Sequence, residues 1–208
     1  MADDNPALLR HFQSEQEEFV ALCKTLTDEQ WAHASLCPEW AVRQTMVHVA
    51  WHIHRNIGDT LRFLLYGTTQ GPARQIARDE TRSTADLIEW LASPGHCALV
   101  NLGELLIHHQ DIRRPLSLAR QIPSDRIRPV LDFSMGRGSA ALVPGSRKRA
   151  AGLRLRATDV DWSAGEGPEV RGTGEALLMA INGRASALDD LAGPGLSTLA
   201  RRQPTKRS

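Results

Sequence analysis

In the N-terminal part of the chain, apolar residues recur at spacings of three, four and seven, the period of helices that bury one face. Asn5-Pro6 is a helix start, because Asn accepts from the first free amide groups and Pro has a preset φ. The first helix runs to about Leu26, and its polar run over residues 13–18 is expected to face solvent. A capping box at residues 27–30 starts a short helix. Four more helices are predicted: Val42 to about Tyr66, Ser83 to Leu91, about Cys97 to Arg113, and about Ser124 to Met135.

The pattern changes after Gly145, where apolar and polar residues alternate over residues 153–158, as in a strand with one buried face. A turn signal at residues 165–168 precedes a second short strand at residues 169–171. A helix over residues 175–181 and a helical turn over residues 185–191 follow, which predicts a β-β-α-α order. The chain is therefore expected to be mainly α, with an all-helical domain over residues 1–142 and a small α+β domain over residues 143–208 that ends in a basic, disordered tail.

The 208 residues are 41% hydrophobic and 24% charged, with a formal net charge of +1, values typical of a globular protein. Such a balance gives no electrostatic case for a nucleic-acid partner. The acidic N-terminus lacks a signal peptide, and no apolar run approaches the ~20 residues of a membrane span, so we expect a cytoplasmic protein without a membrane partner. Cys23, Cys37 and Cys97 show no metal or redox spacing and are interpreted as free thiols.

Two of the predicted helices place titratable side chains among apolar residues. His48 lies in a segment, residues 45–52, that is apolar on nearly every side, as in a buried helix. Glu104 stands in an equally apolar stretch, where an unpaired charge would cost several kcal/mol. Glu104 and His108 are four residues apart and share a helix face, so together with His48 they can bind one ion. Two imidazoles, one carboxylate and an open fourth position are typical of catalytic zinc, and nickel or iron(II) also suit these ligands.

Other assignments of these residues stay open from spacing alone. Glu104 and His108 could be a simple hydrogen-bonded pair, and His52 could replace His48 as ligand. Asp111, three residues beyond His108, is a candidate acceptor for an imidazole N–H. The remaining histidines are expected at the surface or behind the ligands (His54, His109) or in solvent (His11, His33, His96).

Signatures of other chemistries are absent: the chain has no Gly-x-Gly-x-x-Gly, no Gly-x-x-x-x-Gly-Lys-Ser/Thr and no Gly-x-Ser-x-Gly motif. Cys37 precedes Pro38 at a predicted helix start, where a thiol can be activated. We interpret Cys37 as a packed structural residue instead, because most cysteines are buried and inert.

Four segments form an ordered combination that is more specific than any one of them. Residues 40–48 contain Trp-x-Val-Arg-x-x-x-x-His, and residues 104–113 contain Glu-x-x-x-His-x-x-Asp-Ile-Arg. Thr158-Asp159-Val160-Asp161-Trp162 and Asn182-Gly183-Arg184 follow in the C-terminal part. In these segments the chain resembles the mycothiol-dependent maleylpyruvate isomerases, a family within the DinB-like metal-binding four-helix-bundle superfamily. Ala41 departs from the pattern, since members usually carry Ser or Thr there.

This resemblance implies a DinB-like four-helix bundle followed by a sterol-carrier-like α+β domain. It favours His48 over His52 as the metal ligand that joins Glu104 and His108. It also implies mycothiol or another low-molecular-weight thiol as cosubstrate, a small-molecule electrophile as acceptor, and Arg184 as the residue that holds a carboxylate. Arg184 and Asp111 are therefore candidate catalytic residues.

The first hypothesis is a zinc-dependent thiol transferase or isomerase. The second is a non-catalytic metal or small-molecule binding protein of the same fold. The third is a metal-dependent hydrolase, for which Asp111 is the evident candidate base. A monomer or a homodimer fits each of them.

Overall fold

The computed structural model describes residues 5–55, 58, 72–136 and 145–204. The chain divides into two compact units, Met1–Ala119 and Arg120–Ser208. The sequence pattern instead suggests a boundary at residue 142. The difference arises because the helix Ser124–Met135 packs against helices of the second unit, although its helical period resembles that of the first.

Among the described residues of the first unit, the regular elements are helices. Helices α1 and α3 each pack against both α5 and α6, which makes a four-helix bundle, and α2 packs against α3. The predicted helical bundle is thereby confirmed. Its elements are α1 (Pro6–Thr25), α2 (Asp28–Ala32), α3 (Val42–His54), α4 (residues 72–79), α5 (Thr84–Ala92) and α6 (Leu99–Arg113).

Three of these helices begin at the side-chain caps that the sequence predicts. The Asn5 side chain accepts from the amides of Ala7 and Leu8 at the start of α1. Thr27 and Gln30 form the reciprocal capping box of α2, and the Ser83 side chain caps α5. These caps depend on neighbours in sequence, which is why the amino-acid pattern reveals them.

Helix α3 is shorter than predicted. It ends at His54, because the backbone of Arg55 is extended, with ψ of 137°. The rest of the predicted helix, to Tyr66, lies outside the described residues apart from Gly58. Helix α4 has no counterpart in the prediction, since its segment has too few apolar residues to show a clear period.

The second unit combines helices with a three-stranded sheet of order β2-β1-β3, in which β1 runs antiparallel to β2 and parallel to β3. The predicted alternation is confirmed by the burial of Leu155 and Ala157. Strand β2 and helices α8 and α10 were not predicted, because such short elements carry little periodicity. The elements are α7 (Ser124–Met135), α8 (Ser146–Ala150), β1 (Arg154–Ala157), β2 (Ser163–Ala164), β3 (Glu169–Gly172), α9 (Gly174–Ile181), a 3₁₀ turn (Ala185–Asp190) and α10 (Leu196–Arg201).

The predicted turn after β2 contains Gly165, which has a φ of +77°. A Cβ atom at this position would also collide with the carbonyl oxygen of Leu153. Glycine is therefore required there for both conformation and space. Among the described residues, no helix has the length and apolar character that crossing a membrane demands.

Candidate metal centre

The three predicted ligands lie together between two helices of the bundle. His48 comes from α3, whereas Glu104 and His108 come from α6, which packs against it. The Oε2 atom of Glu104 is 3.5 Å from Nε2 of His48 and 3.2 Å from Nε2 of His108. Both histidines are buried and Glu104 is partly exposed, so the cluster reaches the edge of the core.

These separations match the geometry of a small divalent ion. Tetrahedral zinc, with metal–ligand bonds of about 2.0–2.1 Å, holds its ligand atoms about 3.3–3.4 Å apart. The two measured separations lie on either side of that value. The ligand types and the distances from Glu104 to both histidines therefore fit zinc.

The protonation of the cluster also favours a cation. Burial opposes the charged form of His108, but hydrogen bonds to Asp111, Cys37 and Glu104 raise the pKa of His108 well above its ordinary value. Burial likewise opposes the charge of Glu104, yet nearby His52 and hydrogen bonds from the other histidines lower its pKa well below the ordinary value. Glu104 is thus an anion that holds a positive charge beside it, which a proton or a metal ion can supply.

His48 differs from His108 in its surroundings. Burial is the main cause that lowers the pKa of His48, so its ring is held neutral, the form that binds metals. Its Nδ1 atom is buried and has no hydrogen-bond partner within the part of the chain that the structure describes. The ring instead packs beside Trp40, with the two centroids 5.1 Å apart.

His52 has both ring nitrogens engaged. Arg55 Nη1 lies 3.1 Å from His52 Nε2, and the opposite Nδ1 lies 3.2 Å from Asn101 Oδ1. Because the guanidinium only donates, Nε2 accepts and Nδ1–H donates to Asn101. Burial is the first cause that lowers the pKa of His52 to about 4. This arrangement favours His48 over His52 as a metal ligand.

Asp111 lies on the far side of the His108 ring. Its Oδ2 atom is 2.9 Å from His108 Nδ1 and 3.1 Å from the sulfur of Cys37. Since a carboxylate only accepts, His108 donates through Nδ1 and presents Nε2 to the cluster. Carboxylates in this position orient metal-binding histidines in many proteins. Cys37, Asp111 and His108 also lie close enough together to form a second set of ligand atoms.

His109 was expected at the surface or behind the metal ligands, and the structure shows a different environment. Its side chain is fully buried, and its Nδ1 atom lies 2.7 Å from Oε1 of Glu15, which is itself fully buried. Arg113 Nε donates to His109 Nε2 over 2.8 Å. Glu15 belongs to the polar run of α1 that was expected to face solvent, and Gln16 of the same run is also buried, so that prediction is wrong at both positions. His33 and His96 are exposed and His11 is partly exposed, whereas His54 is half-buried.

Arg184 belongs to the second unit. It lies two residues after Asn182, the C-cap of α9. Its Nη1 atom donates to the carbonyl oxygen of Asn182 over 2.8 Å, and the residue is half-buried. The contact of Arg184 with a substrate carboxylate stays a prediction.

The bundle and its histidine–carboxylate cluster agree with the DinB-like fold that the resemblance implies. Residues 12–94 match the model of the family described as the mycothiol maleylpyruvate isomerase N-terminal domain. The resemblance to this family is therefore confirmed, and the match lies within the first unit. The matched residues include His48 and end before Glu104 and His108.

Two solved structures share the fold over nearly the whole chain. One is a variant of the mycothiol-dependent maleylpyruvate isomerase, with a TM-score of 0.60 and 13% identity over 99% of this chain and 97% of that one. The other is the mycothiol-dependent maleylpyruvate isomerase itself, with a TM-score of 0.56 and 12% identity over the same shares. At this identity the likeness shows the fold alone. No curated protein matches the chain significantly.

Proposed function

We propose that the protein is a metal-dependent thiol transferase or isomerase, with zinc bound by His48, Glu104 and His108. The observation that carries this proposal is that Oε2 of Glu104 lies at separations suited to zinc from Nε2 of both His48 and His108. Three protein ligands leave a fourth position for a substrate, the arrangement of catalytic rather than structural zinc.

The chain's residues have distinct roles in this proposal. Glu104 supplies the negative charge that retains the ion, and His48 supplies a neutral imidazole. Asp111 accepts the Nδ1–H of His108 and so directs Nε2 toward the ion. A zinc ion in this position would favour the thiolate form of a bound thiol near neutral pH.

The thiol and acceptor are proposed from the relatives. The family and the structural neighbours are mycothiol-dependent maleylpyruvate isomerases, which supports mycothiol or a similar low-molecular-weight thiol and a small electrophile here. The thiolate adds to an activated carbon–carbon double bond, and its departure after rotation completes a cis–trans isomerisation. Retention of the thiol, with protonation of the adjacent carbon, makes the reaction an S-transfer. Arg184 is the proposed contact for a carboxylate of the acceptor or thiol, and we propose a cytoplasmic location, where such thiols are kept reduced.

The hydrolase alternative receives less support from the geometry. It requires a base close to metal-bound water, and Asp111 was the candidate. The Asp111 carboxylate is fully buried and engaged by Nδ1 of His108, on the opposite side of the ring from the metal-facing Nε2. A non-catalytic binding protein would use the same ligands, so activity has to separate it from the enzyme.

Metal analysis of the purified protein tests the ligand set. We expect about one ion per chain in the wild type and its loss in His48→Ala and Glu104→Ala. His96→Ala is a matched control, because His96 is exposed and in the same unit. A wild-type protein that neither contains nor binds zinc would refute the proposed site.

Activity is tested by incubating the zinc-loaded protein with mycothiol and a panel of electrophiles that includes activated cis double bonds. We expect either a trans isomer or a thiol conjugate, with Arg184→Met raising KM for carboxylate-bearing acceptors. Zinc binding without any thiol-dependent product would favour the non-catalytic alternative.

A further inference from the structure

One short loop, residues 35–40, contacts the surroundings of both histidine ligands. Trp40 packs against the ring of His48, and the Cys37 thiol reaches the carboxylate that holds His108. The amide of Leu36 donates to the carbonyl oxygen of Asp111 over 2.9 Å, so the loop also bonds to the backbone of α6.

The loop is held in this position by a side chain of its own. The hydroxyl of Ser35 accepts from the amide of Cys37 over 3.1 Å and from the hydroxyl of Thr45 over 2.8 Å. It also lies 3.0 Å from the carbonyl oxygen of Trp40, to which it can donate. Cys37 is therefore placed by a hydrogen-bond network that joins it to α3, and its sulfur has a defined partner on α6.

The Cys37 thiol is a hydrogen-bond donor to the buried carboxylate of Asp111. Asp111 is fully buried, and a buried carboxylate needs several donors to offset the loss of hydration. Its Oδ2 atom accepts from the imidazole of His108 and, 3.1 Å away, from the thiol of Cys37. The thiol thus helps to fix the oxygen that sets the orientation of a metal-facing ring.

We propose that Cys37 is a positioning residue of the metal centre, whose S–H donates to Asp111 and thereby holds the carboxylate against Nδ1 of His108. Cys37 acts on the ion through two other side chains and does not bind it. This inference rests on the zinc site proposed above. It assigns a role to a residue that would otherwise be a packed cysteine.

Two other roles of Cys37 give different results in the same experiment. If Cys37 only fills space, Cys37→Val should leave the metal affinity unchanged, because valine is similar in size although it lacks a donor. If Cys37 binds the ion directly, the second ligand set of Cys37, His108 and Asp111 is occupied, and a cobalt–thiolate bond forms.

The experiment uses the full chain loaded with Co²⁺, whose visible spectrum reports ligand geometry and whose affinity is measured by competition with a chelator. We expect Asp111→Asn to weaken binding about 10- to 100-fold. Cys37→Val should weaken it about 2- to 10-fold, the size of one lost neutral hydrogen bond, and Cys37→Ser should restore most of the affinity because serine keeps a donor. In the Asp111→Asn background, the difference between valine and serine should shrink or disappear.

Cys23→Val is the matched control. Cys23 is as buried as Cys37 in the same unit, but its sulfur contacts that of Met46 rather than the site. This variant should shift Tm without changing the cobalt spectrum or affinity. Equal affinity of the serine and valine variants of Cys37 would overturn the positioning role, as would a near-ultraviolet thiolate charge-transfer band that Cys37→Ser removes. Failure of the wild type to bind Co²⁺ or Zn²⁺ would instead refute the metal site itself.

Discussion

The fully buried pair of Glu15 and His109 offers a sharp test of how the bundle holds its site helix. Glu15 on α1 and His109 on α6 are both 0% exposed, with 2.7 Å between Oε1 and Nδ1. Because Arg113 donates to Nε2, the Nδ1–H of His109 must donate to Glu15. Glu15→Ala removes the acceptor of this hydrogen bond from the buried Nδ1–H of His109.

The expected loss is about 1–3 kcal/mol of unfolding free energy, the range for a buried donor that is left without its acceptor. Glu15→Gln keeps an oxygen that can accept from His109 but loses the charge. We therefore expect a smaller loss of about 0.5–1.5 kcal/mol for this variant. The order of the two variants follows from geometry, since only alanine removes the hydrogen bond.

Urea unfolding of the metal-free protein, followed by circular dichroism, measures both losses. Glu17→Ala is the control, because Glu17 lies on the same helix but is exposed, and its loss should stay within about 0.5 kcal/mol. A loss below about 1 kcal/mol for Glu15→Ala would mean that the pair does not stabilise the bundle and would refute this reasoning.

Three further predictions concern protonation, backbone conformation and a buried indole. Because the pKa of His108 is raised in the folded state, protonated His108 stabilises the metal-free fold fully below about pH 6.5, and this stabilisation is lost as the pH rises through the folded pKa. The urea midpoint should therefore fall with rising pH over that range, and His108→Gln should reduce this pH dependence. Gly165→Ala should cost about 1–3 kcal/mol in thermal unfolding, since φ is +77° and the added Cβ meets the Leu153 carbonyl; an unchanged Tm would contradict the strain. Trp162→Phe should cost about 1 kcal/mol by losing the 2.8 Å bond from Nε1 to Asp132, and Asp132→Ala should then add little to it in a double-mutant comparison.

Much of the helical architecture could be predicted because its causes are local. The caps at Asn5, Thr27 and Ser83 depend on residues two to three positions away. The spacing of Glu104 and His108 likewise places both side chains on one face of any helix that contains them. Helix α4 and strand β2 escaped prediction, because a short segment with few apolar residues leaves no periodic pattern.

Which polar groups are buried could not be predicted in the same way. Glu15 lies in a run that looks suited to solvent, and its partner His109 is 94 positions away. Cys37 and Asp111 are 74 positions apart, and nothing near Cys37 indicates a carboxylate. Sequence periodicity identifies which face of a helix is apolar, but it does not identify the distant residues that pack against the helix.

The sequence by itself determined the candidate ligand types, their helices and the family resemblance, because these depend on residue chemistry and short-range spacing. Only the tertiary structure decided that Glu104 lies at zinc-like separations from His48 and His108, while His52 is engaged by Arg55 and Asn101. The physical reason is that helix packing, through the fit of apolar side chains from distant segments, sets the rotation of α3 against α6. That rotation decides which of two histidines one turn apart reaches the carboxylate.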